Sequence, residues 1–520
     1  MRTPVASTEV STKVRPTGTV IEREAKLVAP AGLRLPDMTG LVPGATATEL
    51  PELRLEATYY DTEDLRLARS GITLRWRGGE PGPPWTVKIP YGGEGPMLER
   101  HEIRFDGGED EVPSPASDLV LASARTRSVE PVARLTTIRR PTEIRDGDGG
   151  LLAYVVDDTV SVTSERRPAE RFREIEIELH DAGNSAHQIV DSATLRLVAA
   201  GCVAESPVPK LVRALGVPAT RAPDVVVAVL GADATVVDIL RHAVAHSVAQ
   251  VLRHDPGIRL GRDPENVHQL RVGARRLRSD LRSFAPLLQG DRVALLRAEL
   301  GWLGTVVGAV RDHDVLAERL GTHIATLPEA DAHGGAQLQD RLEDESDQAC
   351  GAMLEALRGA RYLGLLEALV DFAANLPLRM TPGFTGRSNA QMASTIARRP
   401  WRRLARAVDA LGPDPSDGEL HQVRILAKRC RYAAEAVAPI VGLDAARFAE
   451  AVEEVQTVLG DHQDTVVAES WLRSAAADIP SCGLAAGQLV ALERSLRLEL
   501  RAQWHKSWRV ASSKKLRRWL

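Results

Sequence analysis

Between about residue 20 and residue 213, polar and apolar residues alternate in short runs broken by glycine and proline. That period of two is the signature of strands with two unlike faces. The runs include IEREAKLV, ITLRWRG, WTVKIP, LERHEIRF, RLTTIRRPTEI, LAYVVDDTVSV and REIEIEL. A helical stretch near 191–200 makes the region an αβ mixture. From about 234 onward the period changes to that of long helices rich in Ala, Leu, Arg and Glu. The pattern thus predicts a tail over 1–19 with no core of its own, a strand domain over 20–213, a linker over 214–233 and an all-α domain over 234–520.

The helical part repeats itself. VHQLRVGARRLRSDL followed by LGWLGTVVGAVRDHDVLAERL is matched later by LHQVRILAKRCRYAAEA followed by VEEVQTVLGDHQDTVVAESWL. Two copies, over about 234–325 and 390–520, predict a duplicated bundle with pseudo-two-fold symmetry. The acidic stretch EADAHGGAQLQDRLEDESDQAC between them reads as an exposed connection or helix.

Within the strands the charges share one parity. Glu22, Glu24 and Lys26 stand together, as do Arg75 with Arg77, Arg100 with Glu102 and Arg104, and Glu174 with Glu176 and Glu178, while Lys88 sits in WTVKIP. The intervening residues are apolar in several strands: Leu74 and Trp76, Ile175 and Ile177. One such strand is an ordinary solvated face. A set made almost wholly of Arg, Lys and Glu is different. Paired carboxylates suit a hard divalent cation, and guanidinium and ammonium groups suit phosphoryl oxygens. Together they describe a site for a metal-bound polyanion.

The helices carry a second pattern. His268, Arg271, Arg275, Arg278 and Arg282 fall on one helical stripe, and His421, Arg424, Lys428 and Arg431 repeat it in the second copy. Like charges a turn apart repel, so the stripes need either acids, such as Asp312, Asp314, Asp461 and Asp464, or an external polyanion. More cations recur at helical spacing, among them Arg402, Arg403, Arg406, Arg494, Arg497 and Arg501. Aromatic residues are only 4 % of the chain, which disfavours base stacking on single-stranded nucleic acid. The net charge of −4 argues against a generic nucleic-acid or membrane binder. The histidines, with His313 and His462, read as hydrogen-bond or phosphate contacts rather than zinc ligands, since no ligand spacing accompanies them.

Cys202, Cys350, Cys430 and Cys482 are scattered and suggest a reducing compartment. The first residues lack the apolar core of a signal peptide, and no run of about 18 apolar residues is evident. The expected place is the cytoplasm.

Two family resemblances now become specific. EREAK resembles the ExExK signature of the CYTH, or triphosphate tunnel metalloenzyme, superfamily. YYDTEDLRLARSGITLRWR, TVK, RHE, VDDTV and EIEIE follow in that family's order. The paired HxxRxxxRR and HxxRxxxKR motifs resemble the CHAD domain, a helical domain often fused to CYTH.

The first resemblance implies an eight-stranded antiparallel tunnel with flanking helices, hydrolysing a triphosphate with Mg²⁺ or Mn²⁺. It implies Glu22, Glu24, Asp157 or Asp158 at the chemistry, and Glu22, Glu24, Glu102, Glu174, Glu176 and Glu178 near the metal. Lys26, Arg75, Arg77, Lys88, Arg100, Arg139, Arg140 and Lys210 would grip phosphate. The second implies inorganic polyphosphate along the two histidine-arginine stripes. Two departures stand out: the KxR strand reads Thr137-Ile138-Arg139-Arg140, and the terminal Ser-Lys reads Pro209-Lys210. The expected function is polyphosphate binding with hydrolysis of tripolyphosphate. The alternative is a binding or granule-targeting protein with a degenerate tunnel. A tunnel acting on thiamine triphosphate or a nucleotide ranks lower, because no aromatic platform is evident. The sequence leaves the oligomeric state open.

Overall fold

The computed structural model describes residues 18–520 except 93–96, 164–169, 181–182, 205–207, 262 and 380–385. The expected tail thus falls, for residues 1–17, outside the described residues. The chain divides into two compact units, Met1–Asp224 and Val225–Leu520.

In the first unit the strands are β1 (Gly18–Val28), β2 (Thr46–Glu49), β3 (Leu53–Asp61), β4 (Thr73–Gly78), β5 (Trp85–Gly92), β6 (Leu98–Phe105), β7 (Glu130–Arg145), β8 (Leu151–Thr163) and β9 (Glu170–Leu179). All pairings are antiparallel. The order β7-β3-β4-β5-β6-β1-β9-β8 returns to β7, so eight strands close into a barrel. The short β2 pairs with the far end of β7, in line with β3.

This barrel reverses the usual arrangement of a β-domain. Its apolar parity faces outward, where helices cover it. Ala25, Leu27, Val155, Ile175 and Ile177 pack under Ile189, Ala193 and Leu197 of the helix Ala186–Ala199. Leu135, Val160 and Val162 pack under Leu211 and Val212 of the helix Lys210–Leu215. With the outward apolar parity covered by these helices, the charged parity is left lining the lumen.

The turn after β3 rests on one carboxylate. Asp61, fully buried, accepts from the backbone N–H groups of Thr62 (2.7 Å), Leu67 (2.9 Å) and Ala68 (2.8 Å). Its role is to fold the chain back into β4, which carries Arg75 and Arg77. At the end of the unit Asp224 is clamped by Arg69 (2.5 Å) and Arg125.

The second unit is all helix: Val236–Leu260, Pro264–Ser283, Gly290–Ile324, Ala332–Arg358, Ala360–Ala374, Asn389–Asp409, Asp417–Val441, Leu443–Asp478 and Gly483–Ala511. Here these are α1 to α9 in that order. The expected acidic connection is α4, a helix. The duplication is visible in the caps. Thr235 and Ser388 start α1 and α6 with capping boxes, and Asp263 and Ser416 cap α2 and α7. Each pair is 153 positions apart (235 to 388, 263 to 416), the same offset as His268 to His421.

One helix departs from the expectation that no segment could cross a membrane: α3, Gly290–Ile324, is long and apolar enough by length and composition. The charged Arg297 and Glu299 hid this run in the sequence. Its Leu296, Leu300, Leu303 and Val307 are buried within the bundle.

Asp61→Ala leaves three buried backbone donors without an acceptor, and a destabilisation of about 3 kcal/mol or more is expected. Denaturant unfolding of the full chain, followed by a probe in the first unit, checks this. Asp61→Asn, which keeps one acceptor oxygen, should cost less.

Candidate active site and anion groove

The lumen is a cavity of about 460 Å³. Eight cations line it (Lys26, Arg75, Arg77, Lys88, Arg100, Arg104, Arg139 and Lys210) with six carboxylates (Glu22, Glu24, Glu80, Glu102, Glu176 and Glu178). Strand register sets who meets whom. Glu22 is opposite Arg100, Lys26 opposite Glu176, Lys88 opposite Glu102, and Arg139 opposite Asp158. Cross-strand opposite charges attract, and the contacts follow. Lys88 bonds Glu22 and lies 2.9 Å from Glu102, Arg100 bridges Glu22 (3.1 Å) and Glu24, and Lys26 bonds Glu176.

One end is built around Lys210, on the helix that covers the barrel. Its ammonium lies 2.6 Å from Glu176, 2.9 Å from Asp158 and 3.0 Å from Glu174. Arg139 holds Asp158 through two bonds of 3.0 and 2.7 Å and reaches Glu176 at 3.1 Å. Burial alone would push the Glu176 carboxyl up, but Lys210, Lys26 and Arg139 together hold it well below the usual carboxylate range. Glu24 is likewise lowered, its burial outweighed by Lys26 and Arg100. Glu178 goes the other way. Burial raises its pKa, and Arg139, 3.5 Å away, offsets only part of that while Glu176 adds repulsion.

That imbalance marks where a divalent cation fits. Oxygens of Glu24, Glu176 and Glu178 all lie within 4.8 Å of one another. They are hard donors on rigid strands, and Glu178 lacks full compensation by cations. The other expected ligands lie outside this three-carboxylate cluster: Glu22 meets Lys88 and Arg100, Glu102 meets Lys88 and Arg104 (2.6 Å), and Glu174 meets Lys210 and Arg213 (3.3 Å). Among the described residues no histidine joins a three-ligand cluster.

In the helical unit α2 packs on α7, so the two basic stripes meet. Lys428 is crowded by Arg275, Arg424, Arg271 and Arg431, and burial plus this repulsion pushes its pKa down to about 7. Arg275 donates to the Tyr432 hydroxyl (2.9 Å), and Arg271 reaches Asp312 (2.8 Å). Arg424 lies against α8 at Gly460, where no side chain is in its way. Arg431 differs: it pairs with Glu435 (2.6 Å) and Glu453 (2.7 Å). Burial lowers the His268 pKa, opposed by Glu265 and reinforced by Arg311, Arg275 and Arg271. The His421 ring Nδ1 is buried without a partner, and His462 is buried 3.3 Å from Asp417. His313 lies 3.9 Å from Glu345.

The CYTH domain model matches residues 20–193 and the CHAD domain model residues 242–473. The uncharacterized protein MT2285 of Mycobacterium tuberculosis (strain CDC 1551 / Oshkosh) is 31% identical over 459 residues, covering 84% of this chain and 85% of that protein. This chain is a CYTH–CHAD protein. Among solved structures, PptA from Streptomyces chartreusis is 26% identical, covering 53% of this chain and 99% of that one, with a TM-score of 0.45. The CHAD domain from the plant Ricinus communis is 27% identical, covering 54% and 95%, with a TM-score of 0.44.

In the CYTH domain the structure gathers Glu22, Glu24, Lys26, Arg75, Arg77, Lys88, Arg100, Glu102, Arg139, Glu176, Glu178 and Lys210 on the cavity wall, with Asp158 and Glu174 behind Lys210. Two expected residues fall outside. Asp157 has the outward parity and is held by Arg173 (2.7 and 2.6 Å). Arg140 also points outward, 2.8 Å from Glu52 at the surface. The doublets Asp157-Asp158 and Arg139-Arg140 hid the register, and the closed barrel fixes it. Thr137, buried, holds the inward position where the KxR motif has its lysine.

Reading strands alone missed Tyr59, whose hydroxyl accepts from Arg75 (3.3 Å), and Glu80, which holds Arg77 at 2.5 Å. Tyr59 could have been found by extending the parity argument to LRLEATYYD. Glu80 lies in a loop, where parity carries no signal.

Glu176→Gln strips three buried cations of a shared partner, and a loss of about 3–5 kcal/mol is expected. Thermal unfolding with and without tripolyphosphate measures it. The anion should recover more stability in the variant than in the parent.

Proposed function

We propose that this CYTH–CHAD protein binds inorganic polyphosphate on its helical domain and hydrolyses a short triphosphate, tripolyphosphate first, in its tunnel with Mg²⁺ or Mn²⁺. The observation that carries the reading is the lumen itself: eight cations around a cluster of three carboxylates in a cavity of about 460 Å³.

Glu24, Glu176 and Glu178 would hold the cation. When bound, a divalent ion there supplies charge neutralisation of phosphoryl oxygens and a more acidic bound water. The chain's own residues do the rest. Arg75, Arg77, Lys88 and Arg100 present donors from one side of the lumen, with Lys26, Arg139 and Lys210 on the other, and grip the phosphate chain so that it lies along the tunnel. Tyr59 and Glu80 fix the Arg75 and Arg77 guanidinium groups. Asp158 positions Arg139 and Lys210 and is itself fully buried. Prearranged cations of this kind favour the charge that develops on the transferred phosphoryl group. In the helical domain, Lys428 surrounded by guanidinium groups is the corresponding support for polyphosphate binding.

Phosphate release from tripolyphosphate should require a divalent ion, stop with chelator, and fall about a hundredfold or more in Glu22→Gln/Glu24→Gln. No release above that variant, with polyphosphate binding retained, would leave the alternative: a polyphosphate-binding, granule-targeting protein with an inactive tunnel.

Polyphosphate binding should also take up a proton. Lys428 is largely neutral above its pKa of about 7 in the free protein, and a bound polyanion favours its charged form. Affinity should therefore fall as pH rises from 6 to 8, by up to about tenfold per unit above 7. Titrations at several pH values check this, and Lys428→Arg should flatten the dependence.

A further inference from the structure

The duplication of the helical domain is not symmetric in charge. Offset by 153 positions, Arg276, Arg278 and Arg282 of α2 correspond to Arg429, Arg431 and Glu435 of α7. The pseudo-two-fold therefore relates two clusters. The first, made by Arg276 and Arg431 with Glu435 and Glu453, is neutralised: Glu435 accepts from Arg276 at 2.7 Å and from Arg431 at 2.6 Å, and Glu453 lies 2.7 Å from Arg431. The second, made by Arg278 and Arg282 with Arg429, has an arginine where the first has its glutamate.

Instead of a carboxylate, this second cluster gathers two more guanidinium groups, Arg297 from α3 and Arg403 from α6. Arg282 is pushed down to about 10 by burial and by Arg429, Arg297, Arg278 and Arg403. Burial and Arg403, Arg278 and Arg297 lower Arg429 as well. Arg278 lies flat on α3, with Cζ 3.2 Å from where a Cβ on Gly301 would sit, so the glycine makes room for it. The Nε of Arg297 is buried and has no hydrogen-bond partner among the described residues. Among the described residues, none of the five has a recorded ion pair with a carboxylate. A merely solvated face would not draw like charges from four helices together, with Arg282, Arg297 and Arg429 partly buried and Arg278 and Arg403 exposed beside them, because each addition raises the repulsion.

We infer that Arg278, Arg282, Arg297, Arg403 and Arg429 form a second anion site, distinct from the cluster around Lys428 and lying on one side of the pseudo-two-fold, which takes phosphoryl groups of a polyphosphate chain long enough to extend beyond that cluster. This rests on the reading of the helical domain as a polyphosphate receptor. Along α2 the two sites are linked by the stripe from Arg271 to Arg282, eleven residues or about 16 Å of helix. A chain of three phosphates falls short of that span. A chain of tens covers it. Arg403 then carries the track onto α6, where Arg399, Arg402 and Arg406 are exposed. The site thus makes affinity depend on chain length and selects the side of the bundle toward which the bound polymer extends, which two equal half-sites would not.

The test is titration of the full chain with long-chain polyphosphate at several salt concentrations. Arg297→Gln/Arg429→Gln, both outside the two histidine-arginine stripes, should weaken binding about tenfold or more and lower the slope of log affinity against log salt by about one or two. Arg276→Gln, on the same helix, should change affinity less than about twofold. Without ligand the double variant should unfold at a higher temperature than the parent, since like-charge repulsion has been removed, and this separates a lost site from a lost fold. Unchanged long-chain affinity and salt slope in the double variant, with the parent binding normally, overturn the second site and leave the receptor reading standing. A parent chain that binds no polyphosphate overturns the receptor reading and this inference with it.

Discussion

Buried charge is the constraint from which the tunnel follows. An ammonium or carboxylate taken out of water costs several kcal/mol unless a partner stands within hydrogen-bond reach. Eight cations on one cavity wall can be held only where opposite charges come from neighbouring strands at fixed register, as Arg100 meets Glu22 and Lys26 meets Glu176. A closed barrel supplies that register everywhere and leaves no edge strand to slip. The same requirement turns the apolar parity outward, so the covering helices act as the hydrophobic core of the unit.

The network is nearly, but not fully, balanced. Lys210, Arg139, Glu176 and Asp158 satisfy one another at one end of the lumen, while Glu178 remains short of positive charge. A site so arranged is ordered before ligand arrives and keeps a place for a cation. Its Arg and Lys side chains need little reorganisation to meet a phosphate chain, because their present partners already hold them at the wall.

The helical domain handles the same physics differently. Lys428 and its guanidinium neighbours carry few carboxylate partners, and the repulsion remains in the folded state. The protein tolerates this because α2 and α7 are anchored by apolar faces on their other sides: Leu270, Ala274, Leu277 and Leu281 in one, Leu420, Val423, Ala427 and Cys430 in the other. Stability left unrealised in the free state is what a polyanion would recover on binding.

Much of this was legible in the chain. Period-two alternation marked the strands, the change to helical period marked the second domain, and the duplication and its basic stripes are explicit in the letters. Parity also separated inward from outward residues wherever charges alternated with apolar residues, as in Glu174-Ile175-Glu176. It failed at Asp157-Asp158 and Arg139-Arg140, where both faces are charged and only barrel closure decides which side chain enters the lumen. Glu80 lies in a loop, outside any periodic rule. The bare and neutralised clusters of the helical domain were equally hidden, because Arg282 and Glu435 differ by one letter while their effects depend on what α3 and α6 bring beside them. The sequence by itself determined periods, faces and charge types, since these are properties of local backbone geometry. Which charges meet, and which are left unmet, was decided by tertiary structure, because electrostatic energy depends on distances between residues far apart in the chain.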